Sequence, residues 1–306
     1  MTPQNYNYLR KFLKERSGLV LSGEKQYLAE SRLLPLARKN GIANFAELVL
    51  KLKAAPEGPL GVAVIEAMMT NESFFFRDKI PFEHFRESLT PALIAARAKE
   101  KHLRIWCAAA STGQEPYSLA MILKGMGTAL AGWRIEILAT DIAADVLTKA
   151  KAGLYTQFEV QRGLPIQSLV KYFTQVGELW QIAADIRAMV TFKPFNLLHD
   201  FGALGAFDVV FCRNVLIYFD QPTKTGLLNR MTRTIAHDGY LVLGAAETVM
   251  GLTEGFKPLT DHRGVYIRNA APPKPIGQHA AAPRVVSPPL APSMAKARPL
   301  VAGAKR

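Results

Sequence analysis

Apolar residues in the first 70 positions recur with the period of an α-helix. Leu9, Phe12 and Leu13 have the i, i+3, i+4 spacing of one helix face, and Gly18 follows them as a stop signal. A later helix is predicted for FAELVLKLKAA, with Asn44 as its N-cap. The N-terminal part of the chain is therefore predicted to be a small helical unit.

The segment between these two helices carries Lys25, Arg32 and Lys39 seven positions apart, and therefore near one face of a helix. Pro35 is expected to kink or interrupt this helix, and Gly41 is a plausible end for it. The basic stripe fits two interpretations: a solvated face, or a docking surface for an acidic protein partner.

From about residue 102 the pattern changes to apolar runs that alternate with helical stretches. The runs LRIWCA, IEILATD, FDVVFCRNV and YLVLGAA are predicted strands, and segments such as EPYSLAMILKGMG between them are predicted helices. This alternation predicts an α/β fold with a mostly parallel, doubly wound sheet. Its ligand is expected beyond the carboxyl ends of the strands.

Two further strand regions complete the predicted architecture. VYIR near residue 267 is predicted to be a final edge strand. Between Leu154 and Phe195 the alternation lapses, and ELWQIAADIRAMVTFKPF suggests two short strands joined by a turn. This stretch is predicted to form a small antiparallel β-subdomain, inserted at residues 152–194.

The net charge of +13 is unevenly distributed. The last 36 residues carry six Lys/Arg and no Asp/Glu, whereas residues 71–270 carry 22 Lys/Arg and 19 Asp/Glu. The body is only mildly basic, which weakens an interpretation as a nucleic-acid-binding protein. The tail, residues 271–306, contains eight prolines and few large apolar side chains, so it is predicted to be disordered.

Cysteine content and hydropathy indicate the cellular compartment of the protein. The two cysteines, Cys107 and Cys212, lie in apolar runs and cannot form a disulfide framework or a metal site. The N-terminus meets charge too early for a signal peptide, and no apolar run reaches the roughly 18 residues that a membrane span requires. A soluble, cytoplasmic protein without direct membrane insertion is expected.

The sequence RIWCAAASTGQEPYS carries the first candidate chemistry. A strand leads into a loop of small residues, Ala108 to Gly113, and a helix is predicted to start near Glu115. Neither GxxxxGK[ST] nor GxGxxG is present, and a glutamate at the helix start disfavours phosphate. S-adenosylmethionine, which has an ammonium, a sulfonium and ribose hydroxyls, suits such an acidic site. The alternative is that Glu115 simply stabilises the first helical turn.

Asp141 supplies the second candidate. It follows the strand IEILAT, 26 residues after Glu115. A carboxylate at this point accepts hydrogen bonds from two adjacent ribose hydroxyls, as in other nucleotide-binding folds. The alternative is that Asp141 caps the next helix. Together the two acidic residues favour a nucleoside ligand.

Five segments resemble one family when taken in order: TNESFFFRD, AAASTGQEPYSLA, ATDI, FNLL and FCRNVLIYFD. They are similar to the CheR-type glutamate O-methyltransferases of chemotaxis receptors, with similarity from about residue 5 to 268. The resemblance implies an all-helical N-terminal, receptor-docking domain (1–78) and a class I methyltransferase domain (79–270) with the β-subdomain. It also implies methylation of receptor glutamates with S-adenosylmethionine, giving methyl esters and S-adenosylhomocysteine for sensory adaptation.

The resemblance also implies the site residues. Those expected around the cofactor are Asn71, Ser73, Arg77, Glu115, Asp141, Asn196, Leu197, Asn214 and Val215. Arg77 and Tyr218 are implied to face the transferring methyl group. Arg213 receives no role. One departure is visible: family members often have G-H-S-E after the fifth strand, whereas this chain has Gly244-Ala245-Ala246-Glu247.

The implied partners are the cytoplasmic helical domains of methyl-accepting chemotaxis receptors. Some family members also bind a peptide at the receptor C-terminus through a glycine-containing extension in the β-subdomain. The stretch KYFTQVGELWQI looks a few residues shorter, so independence from that peptide is expected.

Two rival functions remain. A nucleic-acid methyltransferase is disfavoured because Asn214 lacks a following Pro-Pro-Tyr/Phe and neither cysteine follows proline. A non-catalytic, cofactor-binding regulatory protein is the other alternative.

Overall fold

The computed structural model describes residues 1–269, so the predicted disordered tail lies outside the described residues. Twelve α-helices are described in this part of the chain: α1 Pro3–Ser17, α2 Gln26–Lys39, α3 Phe45–Ala54, α4 Pro59–Met68, α5 Ile80–His84, α6 Thr90–Ala96, α7 Gln114–Gly125, α8 Ala144–Ala152, α9 Gln157–Gln161, α10 Ile166–Tyr172, α11 Ala184–Arg187 and α12 Gln221–Thr234. The strands of the same part are β1 His102–Ala108, β2 Arg134–Asp141, β3 Leu154–Thr156, β4 Phe173–Val176, β5 Leu179–Ile182, β6 Val190–Pro194, β7 Phe207–Cys212, β8 Ile235–Leu243, β9 Phe256–Pro258 and β10 Val265–Arg268.

The first four helices form the predicted N-terminal helical unit around their own apolar core. Leu9 and Leu13 of α1, Leu33 of α2 and Leu48 of α3 are fully buried in it or nearly so. The helix ends follow the sequence signals. Gly18 ends α1 in the left-handed conformation, which glycine adopts without a steric penalty. Asn44 caps α3 by accepting a hydrogen bond from the Glu47 N–H, as predicted.

Pro35 was expected to kink or interrupt the helix, and the helix is not interrupted there. Helix α2 runs through this proline and ends at Lys39, before Gly41. Proline removes the hydrogen bond to the carbonyl of Ser31. Both Pro35 and Ser31 are exposed, so water can solvate that carbonyl. Burial of the opposite face, which includes Leu33, stabilises the continuous helix.

The predicted basic stripe on α2 is only partly a free surface. Lys25 and Lys39 are exposed. Arg32, in contrast, donates hydrogen bonds to the carbonyls of Met68 and Met69 at 2.7 and 2.9 Å. These carbonyls lie at the end of α4, where no further helical turn supplies a partner. Arg32 therefore holds the helical unit together, a role that neither interpretation of the stripe included.

The main sheet has seven strands in the order β6-β2-β1-β7-β8-β10-β9. The five strands from β6 to β8 are parallel, whereas β10 pairs antiparallel with both of its neighbours, β8 and β9. This confirms the doubly wound α/β prediction for LRIWCA, IEILATD, FDVVFC and YLVL. All six residues of β7 are buried, as expected for a central parallel strand covered on both faces.

Alternate residues of the central strands pack into two different cores. Ile105 and Cys107 of β1 face one cluster, and Trp106 and Ala108 face the other. This alternation follows from the two-residue period of a strand. The site described below begins where these buried strands end.

The prediction that VYIR is an edge strand is wrong. Strand β10 lies between β8 and β9, and the edge is Phe256–Pro258. That strand has only three residues and ends in a proline. Such short strands are typical of sheet edges, since proline cannot donate to a further strand.

The predicted small antiparallel sheet is present, but its strands differ from those expected. It has three strands in the order β3-β5-β4. Strands β4 and β5 form a hairpin whose two-residue turn consists of Gly177 and Glu178. The second predicted strand, Val190–Pro194, instead joins the main sheet parallel to β2. The four-residue helix α11 separates the two, so they cannot form one hairpin.

Among the described residues, no helix combines the length and the apolarity that crossing a bilayer requires.

Candidate active site

A cavity opens at the carboxyl ends of β1, β2 and β7, where the doubly wound sheet predicts a ligand. The ten residues implied by the resemblance are widely spaced in sequence, yet all of them line this cavity: Asn71, Ser73, Arg77, Glu115, Asp141, Asn196, Leu197, Asn214, Val215 and Tyr218. Ser17 and Leu19 of the N-terminal helical unit line it too. The structure thus brings the whole predicted set together, and it adds a wall from the first helix.

The loop between β1 and α7 has an unusual backbone. Ala109, Ser111 and Gly113 all have positive φ, at 64°, 49° and 91°. A Cβ on Gly113 would lie 2.9 Å from the Cβ of Ala150, so only glycine fits there. Left-handed conformations at residues with side chains are unfavourable and concentrate at functional sites. The loop of small residues therefore presents its main chain to the cavity.

Asp141 connects this loop to the end of β2. Its carboxylate accepts hydrogen bonds from the Ser111 N–H at 2.8 Å and the Ala143 N–H at 3.0 Å. Burial raises the pKa of Asp141, and the backbone donors oppose that rise. The first N–H of helix α8, from Ala144, donates to Glu66 at 2.7 Å, whereas Asp141 reaches only the preceding N-cap residue, Ala143.

Glu115 lies in the first turn of α7 but is not an exposed helix stabiliser. Its side chain is 12% exposed, and its Oε2 is 2.8 Å from Arg213 Nη1. Burial raises the pKa of Glu115, while the charge of Arg213 lowers it. The carboxylate is therefore a buried acceptor held by a cation.

Arg213 itself was not assigned a role from the sequence. Its side chain is 1% exposed, and its Nη2 donates to the Arg77 carbonyl and to Asp78 Oδ2, both at 2.8 Å. One signal was available: an arginine directly follows the fully buried strand FDVVFC. A cation at the end of such a strand requires buried acceptors.

Glu247 is the second residue that the sequence analysis missed. Its two oxygens accept four N–H bonds of 2.7–2.9 Å and a longer one of 3.4 Å; the donors are Asn214, Val215, Leu216, Ile217 and Gly244. It is 8% exposed. In the sequence, the loop Gly244–Glu247 stands out only because it differs from the G-H-S-E pattern. Ala245 and Ala246, which differ from the family pattern, are exposed. Glu247, which this chain has in common with that pattern, orders the cavity wall.

Asn196 and Tyr218 join the cavity to the N-terminal helices. The Asn196 side chain donates to the Arg16 carbonyl at 2.7 Å and accepts from the Leu198 N–H at 3.0 Å. Both the NH₂ group and the oxygen of its side-chain amide therefore already form a hydrogen bond within the protein. The Tyr218 carbonyl accepts from the Val20 N–H at 2.9 Å, and its ring packs against cores on both sides.

The segment that carries Asn71, Ser73 and Arg77 crosses the cavity between the two parts of the chain. The carbonyl of Asn71 accepts from the Ser111 hydroxyl at 2.9 Å. Arg77 Nη1 donates to the Glu72 carbonyl at 2.7 Å, and its guanidinium lies 5.5 Å from the ring centroid of Phe74. These contacts hold the Arg77 side chain along the cavity wall.

Two domain families match this chain. Residues 4–68 match the all-alpha domain of CheR methyltransferase, and residues 71–265 match its SAM-binding domain. The chain belongs to the CheR methyltransferase family. It is therefore a methyltransferase that depends on S-adenosylmethionine, with the class I fold described above.

Several CheR relatives are similar over most of their length. The chemotaxis protein methyltransferase 1 of Pseudomonas aeruginosa is 40% identical over 270 residues, which are 86% of this chain and 97% of the relative. The chemotaxis protein methyltransferase Cher2 of Pseudomonas putida is 39% identical over 267 residues, 85% and 96% of the two chains. The chemotaxis protein methyltransferase of Vibrio anguillarum is 37% identical over 268 residues, which are 87% of this chain and 96% of the relative.

The cavity chemistry fits the cofactor of CheR methyltransferases. The lining includes two carboxylates, Glu115 and Asp141, which are compatible with a cationic ligand that carries hydroxyl groups, and the loop Ala109–Gly113 lets a ligand approach its main chain. Among the described residues, no cluster of histidine, cysteine or acidic side chains has an arrangement suited to a metal ion. Cys107 and Cys212 are fully buried, and burial raises the pKa of both thiols, so neither is an activated nucleophile.

Proposed function

We propose that this enzyme methylates glutamate side chains in the cytoplasmic helical domains of methyl-accepting chemotaxis receptors. The observation that carries the proposal is that Arg77 and Tyr218 line the same cavity as the acidic cofactor pair, Glu115 and Asp141. An acceptor carboxylate at Arg77 then lies beside the cofactor. The names of the CheR relatives support a chemotaxis protein as the substrate.

Esterification of a glutamate needs little help from acid–base groups. S-adenosylmethionine, when bound, supplies an electrophilic methyl group. An exposed glutamate has a pKa near 4.3 and is already an anionic nucleophile at neutral pH. The enzyme's contribution is then alignment, which is worth up to about 7–11 kcal/mol when reactants are held in line.

Arg77 is proposed to orient the acceptor through the carboxylate oxygen that does not react. Its hold must be moderate, because the carboxylate loses its charge as the ester forms and strong ground-state binding opposes that change. Tyr218, which lines the same cavity, is proposed to position the same acceptor. The remaining predicted contacts, from Asn71, Ser73, Asn196, Leu197, Asn214 and Val215, are assigned to the cofactor.

Transfer of radiolabelled methyl groups to receptor cytoplasmic fragments tests the proposal. We expect base-labile label in the wild-type receptor fragment and none in a fragment whose acceptor glutamates are replaced by glutamine. The Arg77→Ala enzyme is the matched negative control. Binding of S-adenosylmethionine without any label transfer would favour the non-catalytic alternative, and label in tRNA or DNA would favour a nucleic-acid substrate.

The N-terminal domain, residues 1–78, is proposed to dock the receptor. Lys25, directly before α2, and Lys39, its last residue, are exposed and complement an acidic helix. Reversal of both charges is expected to weaken receptor association at low salt, and added salt is expected to shrink the difference. Unchanged affinity at low salt would identify this face as merely solvated.

Recognition is proposed to be independent of a receptor C-terminal peptide. The β4–β5 turn has only two residues and offers no extension beyond the hairpin. Strand β4 is an edge of the small sheet, and addition of the peptide as a strand beside it is the competing mode of recognition. Equal methylation of receptors with and without their C-terminal peptide is expected, and micromolar binding of the isolated peptide would overturn this proposal.

A further inference from the structure

The guanidinium of Arg213 contacts two parts of the cavity that have separate tasks in the proposed reaction. Nη1 lies 2.8 Å from Glu115 Oε2. Nη2 lies 2.8 Å from both Asp78 Oδ2 and the Arg77 carbonyl oxygen. One rigid group therefore bridges the first turn of α7 and the segment that carries Arg77.

That segment needs an anchor because its backbone is strained. Phe76, Asp78 and Lys79 have φ values of 53°, 68° and 51°. Residues with side chains adopt this region only when surrounding contacts impose it. The Arg213 bonds to Arg77 and Asp78 fall within the strained stretch, so they help to impose it.

Glu115 is the other end of the bridge, and several charges act on it. Arg213 and Arg77 favour its ionised form, whereas Glu247 and burial oppose it. The buried thiols of Cys107 and Cys212 also lie close enough to be influenced by its charge. Arg213 bonds only Oε2 of this carboxylate, so a ligand ammonium at Oε1 meets a Glu115 side chain whose orientation Arg213 fixes. Because a guanidinium is planar and rigid, a shift at Nη1 also moves Nη2.

We propose that Arg213 is a positioning residue that couples occupancy of the Glu115 side of the cavity to the placement of Arg77. The inference rests on the proposed function, in which Glu115 meets the cofactor ammonium and Arg77 faces the acceptor carboxylate. Cofactor binding then orders the acceptor side before the receptor glutamate arrives.

A purely structural ion pair is the competing explanation, and the chain offers a matched control for it. Like Arg213, Arg97 joins two carboxylates, Asp208 at 3.0 Å and Asp238 at 2.6 and 2.7 Å, and its side chain is 18% exposed against 1% for Arg213. It does not line the cavity. Arg97→Lys therefore reports what the loss of a comparable buried ion pair does to the fold alone.

Hydrogen exchange at the amides of residues 75–79, with and without S-adenosylhomocysteine, tests the coupling directly. In the wild type and in Arg97→Lys, the ligand is expected to slow exchange in this segment. In Arg213→Lys, one ammonium cannot replace the two-sided contact, so ligand-induced protection is expected to disappear. Wild-type protection in Arg213→Lys, or its loss in Arg97→Lys, would overturn the proposal.

Asp78→Asn is the second variant, since it is milder and asparagine tolerates a positive φ. This variant weakens the bond between Arg213 and residue 78 and leaves the bond between Arg213 and Glu115 in place. By calorimetry, S-adenosylhomocysteine affinity is expected to stay within about twofold, whereas Arg213→Lys should lower it about tenfold by loss of a charged hydrogen bond. Protection of residues 75–79 should fall in Asp78→Asn; full protection contradicts the coupling.

Both measurements use only the full chain and the product of the cofactor. They therefore stay informative if receptor fragments are not methylated, an outcome that refutes the proposed function and not the bridge. Where methylation is observed, turnover of Arg213→Lys at saturating S-adenosylmethionine should be about tenfold lower than that of Arg97→Lys. Equal turnover of the two variants would contradict a positioning role.

Discussion

Replacement of Glu247 by glutamine tests how the cavity wall at Asn214–Ile217 is held. Oε1 accepts from Val215 and Leu216 at 2.9 and 2.7 Å, and Oε2 accepts from Asn214 and Gly244, both at 2.8 Å. Glutamine keeps one oxygen and places an amide NH₂ where the other was. Two backbone N–H groups then face a donor in place of an acceptor.

The expected loss follows from those two donors. A buried donor left without a partner costs about 1–3 kcal/mol, so Glu247→Gln should lower the free energy of unfolding by about 2–6 kcal/mol. This is a large share of the roughly 5–15 kcal/mol that stabilises a typical domain. An added Cβ at Gly244 would lie 2.7 Å from Glu247 Oε2, so this carboxylate packs directly against the glycine backbone.

The cavity should lose function together with stability. Asn214 and Val215 line it, and Asn214 has a positive φ of 59° that the Glu247 bonds help to maintain. We expect S-adenosylhomocysteine affinity to fall at least tenfold, about 1.4 kcal/mol. Urea unfolding followed by circular dichroism measures the first effect, and calorimetry on the folded variant measures the second.

Glu254→Gln is the matched control, because it makes the same chemical change at an exposed position. It should alter the free energy of unfolding by no more than about 0.5 kcal/mol. If Glu247→Gln matched this control in stability and matched the wild type in affinity, the network of N–H bonds would not be what orders this wall.

Three further predictions concern the cavity and the contact between the two parts of the chain. Asp141→Ala should weaken S-adenosylmethionine binding by about 1.5–3 kcal/mol per charged bond lost. It should also reduce stability, because the Asp141 carboxylate accepts hydrogen bonds from two backbone N–H groups. Unchanged calorimetric affinity in the folded variant would refute the ribose assignment. Arg77→Ala and Tyr218→Phe should each lower turnover more than receptor binding, and wild-type turnover in both would contradict their placement at the methyl-transfer centre. The hydrogen bond from Lys14 lowers the pKa of Asp220 to about 2, so its stabilisation is complete above about pH 4 and is lost as pH falls towards 2. At neutral pH, Asp220→Asn should therefore be less stable than the wild type by about 1 kcal/mol, a figure reduced for solvent screening. Near pH 2 the two proteins should be equally stable. A stability difference that does not vary with pH would contradict the ion pair.

Sequence reasoning recovered the features that depend on local pattern. The four central strands, the Gly18 stop and the Asn44 cap each follow from a few adjacent residues, and each is present. The predicted site residues were found through short motifs, and the fold brings all of them to one cavity. Their individual roles stay predictions until the variants are measured.

The features that were missed depend on segments far apart in the chain. Arg213 meets Glu115 across 98 positions, and Glu247 meets Asn214 across 33, so no local pattern reveals either pair. Pro35 was misjudged because burial of the opposite helix face outweighed a local rule. The edge strand was misjudged because the three-residue strand Phe256–Pro258 carries too little pattern to be recognised.

The wall that Ser17 and Leu19 contribute to the cavity has an evolutionary consequence. Both are buried, and the neighbouring residues Arg16 and Val20 bond to Asn196 and Tyr218. A recombination event that exchanges the first 68 residues for those of a relative also exchanges part of the cavity wall. Under the proposed docking role of this domain, new receptor preferences are therefore more accessible through substitutions on exposed helix faces than through shuffling of whole N-terminal domains.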